Sequence, residues 1–198
     1  MSDLKTRIEE LGREVMEKSQ ELHKLRLELP PEKVEDYTFA EPDDGEVRLS
    51  DLFGDKKDLI LVHNMGSGCP YCTLWADSFN GLLPYYQDRA AFAVVSPDEP
   101  GKQQTFVEAR GWKFRMVSDQ EKRFTKEMGF WGSFGDGPDA GEGPWPGFST
   151  FRRNEDGSVE RIASDFFGPG DTYLGLWHMF SVLDQGVGGW QPAFNLPA

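Results

Sequence analysis

Two thiols three positions apart are the residues best placed to do chemistry: Cys69 and Cys72, in Cys69-Pro70-Tyr71-Cys72. They are the chain's only cysteines. Before them runs Asp58–His63 (DLILVH), an apolar stretch with the character of a buried strand. After them Leu74, Trp75, Phe79, Leu82 and Leu83 recur at helical spacing. The pair is therefore predicted at a strand-to-helix junction, on the first helical turn. There the unpaired N–H groups and the positive end of the helix dipole stabilise a thiolate, and thiols in such motifs titrate at ~3.5–7.5. Cys69, at or just before the helix start, is the predicted nucleophile. Cys72, one turn deeper, is the predicted resolving thiol. Pro70 suits the first turn, where its missing N–H has no partner to lose.

Three other uses of the pair are weaker. A structural disulfide across so short a loop contributes little, because stabilisation grows with loop length. A zinc site needs two more ligands, and the three histidines of the chain supply no second close pair. Inert thiols remain a third alternative.

The surrounding elements follow from periodicity and punctuation. Residues 3–29 read as a helix with Leu4, Ile8, Leu11, Val15, Leu22, Leu25 and Leu29 on one stripe, ended by Pro30-Pro31. Lys18 and Ser19 interrupt that stripe, which argues against a long coiled coil. The expected role is a helix docked on its own domain, with a dimerisation arm as the alternative. Residues 37–53 read as strand, turn at Asp43–Gly45, strand. Ala91–Ser96 is another buried strand, Lys102–Arg110 a helix, Phe114–Val117 a short strand, and Asp119–Met128 a helix. Pro84 should kink or end the helix that follows the dithiol. Residues 129–147 hold seven Gly and three Pro and read as a long loop carrying Phe130, Trp131, Phe134 and Trp145. Phe148–Arg153 and Ser158–Ser164 then form a hairpin, and Asp171 caps a last helix over Thr172–Leu183. Alternating strands and helices predict an α/β fold: a central mixed sheet flanked by helices.

Composition sets bounds. With 198 residues and 38% hydrophobic content the chain can build one ordinary domain. Thirty-four acids against 21 bases disfavour nucleic acid as a partner. Residues 1–29 hold six bases and seven acids, so −12 of the −13 charge lies on residues 30–198. Neutral or basic partners are thus expected over acidic ones. No apolar run approaches the ~20 residues of a membrane span, and the start MSDLKTRIEE has no apolar signal core, so a cytoplasmic location is expected.

The order of elements together with CPYC resembles the thioredoxin superfamily over about residues 36–184. Residues 1–35 are then a helical extension and 185–198 a tail. CPYC is also the tetrapeptide typical of glutaredoxins, but no matching glutathione-binding elements accompany it. The segments RLSDLF, CPYCTLWADSFNG and DFFGPGDTYLGLWHMF, with the N-terminal helix, resemble a bacterial thioredoxin-like family of unknown function labelled predicted dithiol–disulfide oxidoreductases. That resemblance spans nearly the whole chain and implies an enzyme with no metal or organic cofactor. Its partners would be a disulfide-bearing protein or small thiol and an external thiol reductant, and the N-terminal helix could make a homodimer. The superfamily also implies two further site residues. Pro146, five before Phe151, occupies the position of its cis-proline. His63, six before Cys69, occupies that of a buried proton-relay group, with a packed core histidine as the alternative. Tyr71, Pro70, Pro146, Trp145 and Trp131 are the expected substrate contacts, with Phe134 beside them. Peroxiredoxin chemistry is disfavoured, because Val62 and Gly66 stand where the activating Pro and Thr or Ser would be. The other class kept open is a non-catalytic binding protein on a thioredoxin scaffold.

Overall fold

The computed structural model describes residues 2–135 and 141–195. Eight strands form one mixed sheet. Its centre is β4 (Asp58–His63), β5 (Ala91–Ser96) and β6 (Arg115–Ser118), which run parallel to one another. β9 (Gly147–Arg153) lies antiparallel to β4, and β10 (Val159–Phe166) antiparallel to β9. The opposite edge is the hairpin β2 (Thr38–Glu41) and β3 (Gly45–Arg48), turned through Asp43 and Asp44 at positive φ. The short strand β1 (Glu32–Val34) closes the far edge on β10, giving the order β1-β10-β9-β4-β5-β6-β2-β3. β1 had no signal in the sequence, because three residues carry too little alternation to read.

The strands β4 and β5 are apolar runs because both of their faces are covered. On one face Leu59, Leu61, Ala93 and Val95 meet Phe39, Phe53, Phe124, Phe130 and Phe151. On the other, Val62, Val94 and Phe92 meet Trp75, Phe79 and Leu83 of α2 (Pro70–Arg89), with Trp112, Phe114, Phe167 and Trp177 around them. α3 (Pro100–Arg110) ends at Gly111 in the left-handed conformation, as its terminator role requires. The α/β expectation holds, with the mixed sheet flanked by helices.

Several local expectations change. Pro84 does not end α2, which continues to Arg89. Leu83 is buried and Tyr86 packs against the same core, so the helix keeps its apolar face past the missing N–H. The Asp119–Met128 helix shrinks to α4 (Arg123–Glu127), because the Asp119 carboxylate accepts the Thr125 N–H (2.8 Å) and hydroxyl (2.6 Å) as a turn. The last helix is α5 (Leu176–Ser181); Asp171 instead accepts the N–H groups of Tyr173 and Leu174 in a preceding turn. The long loop carries a ribbon, β7 (Trp131–Phe134) paired with β8 (Gly141–Pro144). Residues 136–140 of that segment lie outside the described residues.

The N-terminal helix α1 (Ser2–Glu28) does not dock on its own domain. Leu4, Ile8, Val15 and Leu29 are between 61% and 68% exposed. The attachment to the sheet is made near its C-terminal end, where Arg26 pairs with Asp165 and donates to the Tyr173 hydroxyl. No helix among the described residues is long and apolar enough to cross a membrane.

Candidate active site

β4 delivers the chain to the dithiol through a loop held by side chains. Asn64 takes the Val95 carbonyl through its own N–H (2.9 Å), and its Oδ1 accepts the Gly66 N–H (2.7 Å). Asp98, from the loop after β5, accepts the Ser67 N–H at 2.6 Å and pairs with Lys102 at 2.7 Å. Gly66 has φ +104°, and a Cβ there would meet the Asp98 carboxylate at 2.9 Å. Glycine is required at that position on both counts. Asn64 and Asp98 were not read from the sequence. Each is one polar residue beside a strand end, and only the folded loop brings them to the same turn.

Cys69 is the N-cap of α2, and Pro70 takes the first helical position as expected. The Cys69 Sγ accepts the Cys72 N–H at 3.1 Å. Its carbonyl accepts the Thr73 N–H (3.1 Å) and hydroxyl (3.0 Å). Both thiols are free; Cys69 is part-exposed and Cys72 buried. Their environments drive them apart. The Cys72 thiol, aided by the Cys72 and Tyr71 N–H groups, brings Cys69 down to about 7 against the opposing effect of burial. Cys72 moves well upward, because it donates to Cys69 and because it is buried. One sulfur is thus ready as a thiolate near neutral pH, and its neighbour holds its proton.

Tyr71 lies between two indoles. It stacks on Trp177 of α5 (centroids 6.1 Å, 17°) and approaches Trp75 (6.4 Å). Trp177 is therefore part of the wall beside the motif. Its helical spacing gave only a core position, since contact with Tyr71 spans more than a hundred residues.

The other expected site residues are placed as follows. Gly147 pairs with His63 across β9 and β4, which sets Pro146 at the strand end that leads to the dithiol loop. The cis-proline expectation for Pro146 is corrected: the described residues contain no cis peptide bond. Trp145 N–H bonds the Phe130 carbonyl (2.8 Å) and the Pro146 carbonyl accepts the Phe167 N–H (2.9 Å), so a trans chain satisfies both flanks. The Trp131 ring lies under Lys122 and Lys126 (5.5 and 5.1 Å), while Trp145 meets Phe134 and Phe166. None of these ring contacts is with the Cys69–Cys72 segment. His63 is buried, bonds Ser149 Oγ through Nε2 (3.0 Å) and stacks on Phe130 at 3.7 Å. Burial, with a smaller effect of Arg161, pushes it down to about 3, so it is neutral at pH 7. Its ring faces the core that Phe130 and Phe124 share, and no bond to either thiol is found among the described residues. No group of three His, Cys, Asp or Glu arranged for a metal occurs among the described residues either.

The sequence profile of a family described as bacterial protein of unknown function, DUF899, matches residues 5–194. The chain belongs to the DUF899 family. Curated relatives of the chain carry the name peroxiredoxin. "Putative peroxiredoxin Rv2521" of Mycobacterium tuberculosis is 29% identical over 132 residues, 66% of this chain and 81% of that protein. "Putative peroxiredoxin bcp" of Buchnera aphidicola is 31% identical over 90 residues, 45% of this chain and 56% of that one. Among solved structures, peroxidoxin BcpB of Mycobacterium tuberculosis superposes with a TM-score of 0.53 at 23% identity, over 69% of this chain and 84% of that one. Peroxiredoxin Q of Xanthomonas campestris does so with 0.57 at 17%, over 66% and 80%. This DUF899 member therefore has a thioredoxin-like fold, and its sequence relatives group it with thiol-based redox enzymes.

The Asp98 clamp has a measurable consequence. Asp98→Ala is expected to cost about 1–3 kcal/mol in denaturant unfolding, because the Ser67 N–H loses its acceptor. Gly66→Ala should cost about as much through φ strain and the carboxylate contact. Combined, the two should cost clearly less than their sum, since each removes part of what the other disturbs. Strict additivity would show that Asp98 and Gly66 do not act on one another.

Proposed function

We propose that this DUF899 protein is a dithiol–disulfide oxidoreductase in which Cys69 is the nucleophile and Cys72 the resolving thiol. The observation that carries the reading is the asymmetry of the pair: a helix-capping sulfur brought down to about 7 beside a buried thiol moved up. The Cys69 thiolate attacks a substrate disulfide, forms a mixed disulfide and expels one substrate thiolate, which takes a proton. Cys72 then loses its proton and attacks Cys69 Sγ. The second substrate thiol leaves, and the Cys69–Cys72 disulfide remains. An external thiol reductant returns two electrons. The substrate is a protein or small-molecule disulfide, Tyr71 and Pro70 flank its approach, and the reaction belongs to a reducing, cytoplasmic setting.

A second reading is peroxide reduction, favoured by the names of the relatives. There Cys69 takes one peroxide oxygen to become a sulfenic acid, an alcohol or water leaves, and Cys72 condenses with release of water. Gly66 and Val62 still provide neither hydroxyl nor proline to activate the peroxide.

Stopped-flow rates of the reduced protein with an aromatic disulfide and with hydrogen peroxide, from pH 5 to 9, test the reading. Thiolate is lost as pH falls, so the disulfide rate should rise with an inflection near 7 and level off above it. The disulfide should be the faster oxidant at equal concentration. Peroxide as the faster oxidant would favour the second reading. A pair that forms no internal disulfide with either oxidant, and has no measurable reduction potential, would mean a binding protein. A potential near ~−270 mV marks a reductase and one near ~−120 mV an oxidant.

His63 enters this scheme as a packing residue. His63→Ala is expected to lower stability by about 2–4 kcal/mol, as loss of a buried ring does. It should leave the inflection near 7 in place. A displaced inflection would restore the proton-relay role.

A further inference from the structure

The feature that the redox chemistry leaves unused is α1. Its 27 residues extend ~40 Å at 1.5 Å per residue. Helices in proteins draw most of their stability from packing an apolar face. Its own domain covers little of that face. Leu11, Leu22 and Leu25 are 43–53% exposed, in line with the even more exposed Leu4, Ile8, Val15 and Leu29. Gly12 sits in the middle of the helix with nothing within 4 Å of the place a Cβ would take.

Eight positions of this segment keep a seven-residue register, while the exposed Met16 and Leu27 stand outside it. Ile8, Val15 and Leu22 form one row, continued by Leu29 just past the helix end, and Leu4, Leu11, Lys18 and Leu25 form the other, three positions on. These rows are the a and d positions of a heptad repeat. Two of the three a positions inside the helix are the β-branched Ile8 and Val15, and three of the four d positions are Leu, a combination that favours two strands in a parallel coil. Charge agrees with that orientation. In a parallel pair, position g of one helix faces position e of the next heptad in its partner. Here Glu21 at g, which also pairs with Lys18, faces Arg26 at e, which also pairs with Asp165, while Glu14 faces Ser19 and Arg7 faces Gly12, so no like charges meet. An antiparallel pair matching Leu4 with Leu29 would set Glu14 against Glu21 and Lys5 against Arg26, with Arg7 against Glu28 as its one attractive pair. Lys18 is the single polar residue in the seam, and it reaches out to Glu21 at 2.6 Å. A lone polar seam residue fixes register at a cost in stability.

We infer that α1 pairs with α1 of a second copy of this chain as a parallel two-stranded coiled coil, in register, with Lys18 as its one polar layer. The two redox domains then hang from the same end of the stalk, each tied to it by its own Arg26 and Asp165.

Sedimentation of the full chain tests this. The wild type should be a dimer at micromolar concentration. Val15→Glu should be monomeric with an unchanged domain melting temperature, because Val15 is 68% exposed on its own chain. Lys18→Leu should tighten the dimer by about tenfold or more, as burial of a leucine in place of a charge does. In a chain whose Cys69 and Cys72 are both replaced by Ser, Leu25→Cys should oxidise to a covalent dimer, since equivalent d positions face one another only in the parallel arrangement. A monomeric wild type overturns the proposal, as does a dimer that survives Val15→Glu. A dimer without the Leu25→Cys crosslink overturns the parallel geometry.

Discussion

Cys69→Ser is expected to bring disulfide turnover down to the uncatalysed rate, while Cys72→Ser accumulates a stable mixed disulfide with substrate. The two losses differ because the residues act at different steps. Serine at 69 has no thiolate to offer near neutral pH, so nothing is attacked. Serine at 72 leaves Cys69 reactive but removes the sulfur that would release it. Mass spectrometry of the protein after incubation with a small disulfide distinguishes the cases by the added half of the reagent. Comparing Cys72→Ser with Cys72→Ala adds a second reading. The Cys72 side chain is the foremost reason why Cys69 titrates at about 7. Alanine removes that donor and should move the Cys69 inflection upward. Serine, which keeps a hydroxyl donor, should move it less. The shift stays partial in both, because the Cys72 and Tyr71 N–H groups remain. Full turnover in both the Cys69 and Cys72 variants would overturn the enzyme reading.

Gly147→Ala is expected to be the most damaging single methyl group in the molecule. Gly147 opens β9 between two partners, opposite His63 of β4 and Phe166 of β10. A Cβ there would run into the Asp165 carbonyl oxygen and the Phe130 ring, with the Phe166 Cα at 3.0 Å. Two of these three obstacles are backbone of the neighbouring strand, which cannot step aside without breaking the ladder. The third is a ring already stacked against His63 at 3.7 Å. The expected loss is above about 4 kcal/mol, the range reserved for overpacked or strained core sites. For a chain of this size that lowers the melting temperature by roughly 8–16 °C. Gly81→Ala is the matched control: it lies inside α2 with nothing within 4 Å and should be neutral or stabilising by up to about 1 kcal/mol. A Gly147→Ala protein melting with the wild type would mean that β9 and β10 sit farther apart here.

How much of this was legible in the sequence depends on the range of the forces involved. β4, β5 and the start of α2 were readable because burial on both faces and the dipole of a first helical turn act within a few residues. Gly111 and the Asp43–Gly45 turn were readable for the same reason, as backbone conformations that certain residues favour. The shortened α4 was not, since whether Asp119 caps a helix or closes a turn on Thr125 depends on where β6 leaves it. The ribbon in 129–147 was hidden because seven glycines and three prolines have little intrinsic strand preference, and pairing with a partner several residues away supplies what propensity lacks. The state of α1 was misread in the other direction. Its stripe is a local property, but whether the domain offers a surface to receive it is not.

By itself, then, the amino-acid sequence determined a strand-to-helix dithiol with Cys69 at the helix start, an α/β layered domain around it and a seven-residue apolar stripe at the N-terminus. All three follow from spacing along the chain, which sets side-chain direction and dipole position without help from distant residues. Tertiary structure alone decided that Asp98 clamps the dithiol loop, that Trp177 stacks on Tyr71 and that Pro146 stays trans between two satisfied strands. It also turned His63 to Ser149 and Phe130, and left the stripe of α1 uncovered. Each of these joins groups far apart in sequence, and such contacts exist only once the sheet order has brought the strands together.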